Sequence, residues 1–265
     1  MLWQVLFTTA GCILVFQSVI FCLALLLKRN DIADVCWGAG FIMIVTVLML
    51  NYASTPPAIL CYVLTIGWGG RLSFHLFIRN QNKQEDFRYK AWREAWGKHF
   101  VWRSYLQVFV LQGFFMWLIS FPLQIAALDS TGNWNGWMLP GSLLWLIGYY
   151  FQSVGDHQLQ QFMKRRQPGE ILQTGLWKYS RHPNYFGEIL MWWGIGIIAS
   201  PLQYGWLGWI GPFTITWLLA KVSGVPLLER KYKNHPEYQE YKKHTPALIP
   251  DWRKWILDKK ETLNN

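Results

Sequence analysis

The segment from Ser180 to Glu188 places a cation, an imidazole, an amide and a carboxylate immediately before an apolar run. Pro183 predicts that a helix begins here, because its fixed φ and missing N–H suit a first helical turn. Asn184 and Glu188 are four residues apart, so their side chains project from one face of that helix. A carboxylate inside a bilayer costs about 2.5–3.5 kcal/mol to insert, so Glu188 is expected to face protein or a ligand. The pattern indicates the wall of a cofactor pocket, with helix capping and packing as the alternative.

Further polar side chains interrupt apolar segments elsewhere in the chain. They are Arg71 and His75, four residues apart; Gln152 and Asp156, also four apart and followed by His157; and Lys221. Exposing their charged members and Glu188 to lipid would cost on the order of 10 kcal/mol, so they are expected to face inward or toward water. We predict that most of them line one polar cavity. An interhelical ion pair for Arg71 and an interfacial position for Lys221 are the alternatives.

Seven apolar segments have the length needed to cross a bilayer as helices. They cover about 3–27, 35–52, 57–78, 104–127, 138–160, 185–201 and 206–228. The composition, 52% hydrophobic with 18 Trp, is typical of a membrane protein with aromatic belts at the interfaces. We expect the first segment to stay in the protein, since it lacks the charged start of a cleavable signal peptide. The sequence therefore predicts an all-α, seven-helix membrane protein that forms a single domain over residues 1–265.

The distribution of Lys and Arg predicts the orientation of these helices. Basic residues concentrate in the loops after the first, third and fifth segments and in the C-terminal tail, whereas the connections at 51–56, 129–137 and 201–205 contain none. The positive-inside rule then places the N-terminus outside and the C-terminus in the cytoplasm. Topology thus accounts for the net charge of +10, and we expect no nucleic-acid partner. We predict a multi-pass protein of a bacterial inner membrane whose polar cavity opens to the cytoplasm.

Several common site motifs do not occur in the sequence. There is no G-x-G-x-x-G, G-x-x-x-x-G-K-[ST], G-x-S-x-G or H-E-x-x-H pattern. The four cysteines lie within apolar segments without C-x-x-C spacing, so no metal site or disulfide framework is predicted. A cofactor would therefore have to bind among helices.

The run Gly175–Glu188 resembles the C-terminal signature of the steroid 5-alpha-reductase-like membrane proteins. Its Arg-His-Pro-Asn-Tyr-x-Gly core is similar to that of sterol reductases acting on ring double bonds. The resemblance continues, in chain order, through Asp34–Gly38, Trp68–Leu72, Glu85–Tyr89, Asp156 and Leu228–Pro250. It implies a seven-helix reductase that binds NADPH from the cytoplasm and reduces a carbon–carbon double bond conjugated to a carbonyl in a lipophilic substrate of the membrane.

The resemblance also implies roles for individual residues. It assigns residues 138–250 to the cofactor and residues 1–130 to the substrate. Asn184 and Glu188 match the family residues that contact the dinucleotide. The expected cofactor-binding set is Gln152, Asp156, Lys164, Arg181, His182, Asn184, Tyr185, Glu188, Arg71 and Arg88.

The substrate half departs from the steroid-reducing enzymes. They polarise the substrate carbonyl with a Gln-Glu pair and a Tyr, whereas this chain has Trp68 at the Tyr position and Asp34 as the nearest carboxylate. The enolate that develops during reduction needs a hydrogen-bond donor. Asp34, if burial keeps it protonated, or His75 could supply it, and both are the predicted catalytic residues.

Two other classes of function remain open. Isoprenylcysteine carboxyl and phospholipid methyltransferases carry a similar Arg-His-Pro-x-Tyr-x-Gly run, followed by a Glu and a Tyr-rich segment. That description is matched here by Glu229 with Tyr232, Tyr238 and Tyr241. Such an enzyme would bind S-adenosylmethionine. A non-catalytic lipid-binding or scaffolding protein with an interfacial tail at Trp252 and Trp255 is the third class.

Overall fold

The computed structural model describes residues 1–52, 54–81, 85–130 and 132–257, without the side chains of Phe87 and Arg88. Over these ranges the chain is helical and contains no strand, which confirms the all-α prediction. In chain order the helices are α1 (Leu2–Leu27), α2 (Ile32–Val35), α3 (Trp37–Asn51), α4 (Pro56–Asn80), α5 (Phe87–Trp96), α6 (Phe100–Ser104), α7 (Leu111–Ile119), α8 (Phe121–Leu128), α9 (Met138–Arg165), α10 (Pro183–Ala199), α11 (Gly205–Gly208), α12 (Ile210–Trp217), α13 (Val225–Lys231) and α14 (Pro236–His244). Wider π-helical turns occupy Tyr105–Val110 and Leu218–Val222.

Each of the seven predicted apolar segments is largely helical, but fewer helices satisfy the criteria for crossing a membrane. Within the described residues, Leu2–Leu27 and Gly205–Lys231 are long and apolar enough. Tyr89–Ile119 and Phe121–Leu128 form a third span if the pair, bent by 49°, is counted as one. The number of such spans is therefore two or three, and the seven-span topology stays a prediction.

Particular residues explain why some of these helices are too short or too polar to count as membrane spans. The bend between α7 and α8 comes just before Pro122, which has no N–H to continue the hydrogen-bond ladder of the preceding turn. Helix α10 has 17 residues, fewer than the roughly 20 that span a bilayer without tilt or thinning. In α4, Arg71, His75 and Arg79 lower the apolar character of the second half.

The first of two compact units comprises Met1–Leu139 and Ile195–Gly211. Its core is built from large apolar side chains of α1, α3, α4, α7 and α8. Phe41 and Trp68 are almost fully buried, and their rings meet edge to face with centroids 5.2 Å apart. Trp68 is thus a core residue of this unit.

The second compact unit comprises Pro140–Gly194 and Pro212–Asn265. Within it, α9 and α10 approach so closely that side chains cannot fit between them. A methyl group on Gly148 would lie 2.5 Å from the carbonyl oxygen of Gly187, and one on Gly194 would lie 2.5 Å from that of Gly141. Glycine is therefore required at these crossings. Because these glycines recur every seven residues on each helix, they keep one face of α9 against one face of α10.

We predict that Gly148→Ala lowers the thermal midpoint of the detergent-solubilised protein. Overpacking costs about 1–3 kcal/mol, which outweighs the roughly 0.5–1 kcal/mol that alanine contributes to an ordinary helix position. Gly11→Ala is the matched control, since a methyl group there meets no atom within 4 Å. Its midpoint should stay the same or rise. Equal effects of the two substitutions would contradict the close approach of α9 and α10.

Candidate functional site

Two amide–carboxylate pairs join α9 to α10. Asn184 Nδ2 donates to Asp156 Oδ1 at 3.0 Å, and Gln152 Nε2 donates to Glu188 Oε2 at 3.2 Å. Gln152, Asp156 and Glu188 are 2%, 8% and 8% exposed. The structure therefore brings together four residues that the sequence pattern singled out. Each buried carboxylate has a hydrogen-bond donor, as a charge removed from water requires.

The amide oxygen of Asn184 has a different environment. Asn184 Oδ1 is buried and accepts no hydrogen bond from the residues that the structure describes. A buried acceptor without a donor costs about 1–3 kcal/mol. Such an atom is where a ligand N–H or O–H group would be stabilised.

Arg181, which we expected near a cofactor phosphate, contacts Glu229 of α13 and the C-terminal segment Pro236–Asp251. Its Nε and Nη2 atoms donate to Glu229 Oε1 at 2.9 and 2.7 Å. Its Nη1 atom donates to the carbonyl oxygens of Lys242, at 3.3 Å, and Thr245. The ion pair is largely removed from water, with Arg181 and Glu229 side chains 7% and 10% exposed. Losing Glu229 would therefore leave the buried guanidinium of Arg181 without its counter-charge.

Neighbouring residues hold the same C-terminal segment. The Arg181 N–H donates to the carbonyl oxygen of Pro246 at 2.9 Å, and Ser180 Oγ donates to that of Leu248 at 2.7 Å. The Tyr241 hydroxyl donates to the carbonyl oxygen of Trp177. Burial raises the pKa of the Tyr241 hydroxyl, so this group remains a donor at neutral pH.

His182 and Tyr185 form a stacked pair, with ring centroids 5.5 Å apart and planes 11° from parallel. His182 Nε2 lies 3.6 Å from Glu229 Oε1, which is too long for a hydrogen bond. Burial lowers the pKa of His182, and the nearby Glu229 opposes this shift only in part. The imidazole is therefore expected to be neutral at physiological pH.

A second polar cluster lies in the first unit and surrounds the predicted catalytic residue Asp34. Asp34 Oδ1 accepts from the Tyr89 hydroxyl at 2.7 Å and from Gln112 Nε2 at 3.4 Å, and Gln112 Nε2 also lies 3.4 Å from the Tyr89 oxygen. The three residues come from α2, α5 and α7. Local spacing does not predict the contacts of Tyr89 and Gln112 with Asp34, because these residues lie 55 and 78 positions further along the chain.

Acidic residues before α5 hold this cluster in place. Glu85 Oε1 accepts from the backbone N–H of Asn30 at 2.8 Å and from Arg93 Nη2 at 2.9 Å. Asp31 Oδ2 accepts from the backbone N–H of Asp86 at 3.3 Å. The Glu85–Tyr89 segment is thus anchored beside α2, and the guanidinium of Arg93 pairs with Glu85.

The other predicted site residues lie outside these two polar clusters. Arg71 and His75 are half-buried on α4 in the first unit, and Lys164 is exposed in the last turn of α9. Arg88 belongs to α5 by its backbone, and its side chain lies outside the described part of the structure.

Two cavities lie near these elements, one in each unit. The cavity of the second unit has a volume of about 290 Å³ at the C-terminal end of α9, and that of the first unit has about 330 Å³. The cavity of the second unit is lined by His157, Gln158, Gln161, Phe162, Arg165, Glu170, Leu172, Thr174 and Gly175. The cavity of the first unit has a mostly apolar surface and is lined by Leu27, Arg29, Asp31, Ile32, Val35, Cys36, Phe77, Asn80 and Gln81.

Comparison with known proteins gives one family match and several distant relatives. A family model described as "Protein of unknown function (DUF1295)" matches residues 20–245. The 3-oxo-5-alpha-steroid 4-dehydrogenase 1 of Bos taurus is 30% identical over 113 residues, 42% of this chain and 41% of that protein. The steroid 5-alpha-reductase DET2 of Arabidopsis thaliana is 30% identical over 126 residues, 45% of this chain and 44% of that protein.

A methyltransferase is also among the relatives. The methanethiol S-methyltransferase 1 of Bradyrhizobium diazoefficiens is 28% identical over 145 residues, 53% of this chain and 47% of that protein. The chain thus matches less than half the length of each of these three curated relatives.

Proposed function

This chain belongs to the family described as "Protein of unknown function (DUF1295)" and is steroid 5-alpha-reductase-like, and we propose that it is a membrane oxidoreductase that uses NADPH. In this proposal it reduces a carbon–carbon double bond conjugated to a carbonyl in a lipophilic, steroid- or lipid-like substrate. Seven membrane spans, a bacterial inner-membrane location and a cofactor site open to the cytoplasm are parts of the same proposal.

The observation that carries the proposal is the pairing of Gln152 with Glu188 and of Asp156 with Asn184. The carboxylates suit the hydroxyl groups of a ribose, which donate hydrogen bonds. Asn184 Oδ1, which has no donor among the described residues, suits the amide N–H of a nicotinamide. Lys164 and Arg165, at the end of α9, offer cations for phosphates.

The residues therefore fit the cofactor, and NADPH, when bound, would supply the hydride. The chain itself would have to supply a proton and stabilise the negative charge on the substrate oxygen. We assign both tasks to the cluster of Asp34, Tyr89 and Gln112. Tyr89 holds a proton at its phenolic oxygen and Gln112 offers amide N–H groups, while Asp34 orients the phenol through the 2.7 Å hydrogen bond.

Methyl transfer from S-adenosylmethionine is the second candidate function. It is favoured by the match to a methyltransferase over 53% of the chain and by the contact between Arg181 and Glu229. The reductase is preferred because the amide–carboxylate pairs of α9 and α10 supply the groups that a nicotinamide nucleotide needs.

Ligand binding separates these functions. We expect NADPH to raise the thermal midpoint of the purified protein, because a ligand at a hundredfold excess over its Kd adds about 2.7 kcal/mol to the stability of the native state. Asn184→Ala and Glu188→Ala should abolish the rise, whereas Asn51→Ala, which removes an exposed amide of α3, should keep it. NADH and S-adenosylmethionine are titrated in parallel. A rise with S-adenosylmethionine alone would favour methyl transfer, and no rise with any ligand would favour the non-catalytic scaffold.

The proposed proton donor has its own test. Tyr89→Phe should lower kcat for NADPH oxidation by about 10²–10⁴, the range for loss of a general acid, in assays with a panel of lipophilic enones. The Kd for NADPH should stay unchanged. Tyr105→Phe is the matched control, since its hydroxyl contacts Ser18 rather than Asp34, and it should retain full activity. Equal rates for the two variants would exclude Tyr89 as the donor.

A further inference from the structure

The signature Gly175–Glu188 makes two sets of contacts. Ser180 and Arg181 bind C-terminal residues, and Asn184 and Glu188 bind α9. We propose that Arg181 and Glu229 form a clasp that holds the C-terminal segment Pro236–Asp251 against the residues preceding α10. Through this clasp they position Asn184 and Glu188 for the dinucleotide. The inference rests on the proposed function for its effect on the cofactor, and it removes Arg181 from the expected phosphate ligands.

The guanidinium N–H groups of Arg181 donate hydrogen bonds to acceptors of the protein itself. Nε and Nη2 both donate to Glu229 Oε1, and Nη1 donates to main-chain carbonyl oxygens of the C-terminal segment. A phosphate would have to displace Glu229, a carboxylate of the same sign, from a site that is mostly closed to water. Arginine prefers such planar, paired contacts, and here a carboxylate already provides them.

Glu229 connects the clasp to the surface of the second unit. Its Oε2 atom accepts from Lys242 Nζ at 2.7 Å, and the Lys242 side chain is 47% exposed. Glu229 therefore bridges a buried guanidinium and a solvated ammonium on α14. This arrangement ties α13, which carries Glu229, to α14 and to the signature.

The clasp lies immediately N-terminal to the residues that it would position. The Asp251 N–H donates to the carbonyl oxygen of Tyr179 at 2.9 Å, and the Arg181 N–H donates to that of Pro246 at 2.9 Å. Pro183 then begins α10, and Asn184 is the second residue of that helix. Release of the C-terminal segment would free the backbone at Tyr179 and Arg181, five and three residues before Asn184. The hydrogen bond between Asn184 and Asp156 would then lose its fixed geometry.

The experiment compares Arg181→Gln with Glu229→Gln, because the two roles of Arg181 predict opposite results for the second variant. If Arg181 binds a phosphate, neutralising Glu229 frees the guanidinium and NADPH binds as well as before or more tightly. If the pair is a clasp, both variants weaken NADPH binding by at least about tenfold, the factor expected for loss of a charge-assisted hydrogen bond. Equal or tighter binding by Glu229→Gln, with a loss in Arg181→Gln, would overturn the clasp.

A readout without cofactor keeps this test independent of the proposed function. Amide hydrogen exchange, followed by mass spectrometry, should be about tenfold faster over residues 236–251 in both variants. Glu240→Gln is the matched control, since Glu240 is exposed on α14 and pairs with Lys243, and its exchange should equal that of the wild type. Unchanged exchange in both variants would refute the clasp, whereas failure of the wild type to bind NADPH would refute only the reductase.

A conservative variant covers the case in which these proteins fail to fold. Arg181→Lys keeps the charge beside Glu229 but cannot reproduce the fork of N–H donors. It should restore folding and give exchange over residues 236–251 between that of the wild type and that of Arg181→Gln. Wild-type exchange in Arg181→Lys would show that charge alone suffices and would contradict the clasp geometry.

Discussion

The close approach of α9 and α10 is the constraint on which the candidate cofactor site depends. Glycines at the crossings let the two backbones meet, and only then can the short side chains of Asn184 and Asp156 join at 3.0 Å. Larger residues at Gly148 or Gly187 would separate the helices and take one hydrogen-bond donor from each of the buried carboxylates of Asp156 and Glu188. Such charges are costly in a protein interior. The glycine packing and the amide–carboxylate hydrogen bonds therefore favour the same close approach of α9 and α10. Such agreement between local interactions and the overall fold is typical of natural sequences.

The signature segment divides into two parts with different physical roles. Ser180, Arg181 and His182 face α13 and the C-terminal segment Pro236–Asp251, while Asn184 and Glu188 face α9. A single run of residues thus ties two distant parts of the second unit to the start of α10. The first unit repeats this use of polar contacts, because Glu85 and Asp31 fix the segment that carries Tyr89.

The sequence predicted well those features that follow from local spacing. Apolar periodicity located the helices, and the four-residue spacing of Gln152 with Asp156 and of Asn184 with Glu188 predicted their shared faces. Spacing cannot reveal contacts between distant positions. Arg181 and Glu229 are 48 residues apart, so spacing does not predict their contact, and the family resemblance implies a phosphate as the partner of the guanidinium. Hydropathy predicts seven spans, whereas two or three helices of the described residues are long and apolar enough, because a proline bend and charged residues shorten the uninterrupted apolar helices.

The most direct measurement of the central claim is a double-mutant cycle on the Kd for NADPH, with Asp156→Ala, Asn184→Ala and the double variant. If the two side chains act as one binding element, each single substitution weakens binding and the double variant is little worse than either. The coupling energy should then be about 0.5–3 kcal/mol. Losses that simply add, or an unchanged Kd in all three variants, would contradict a dinucleotide site built on the contact between α9 and α10.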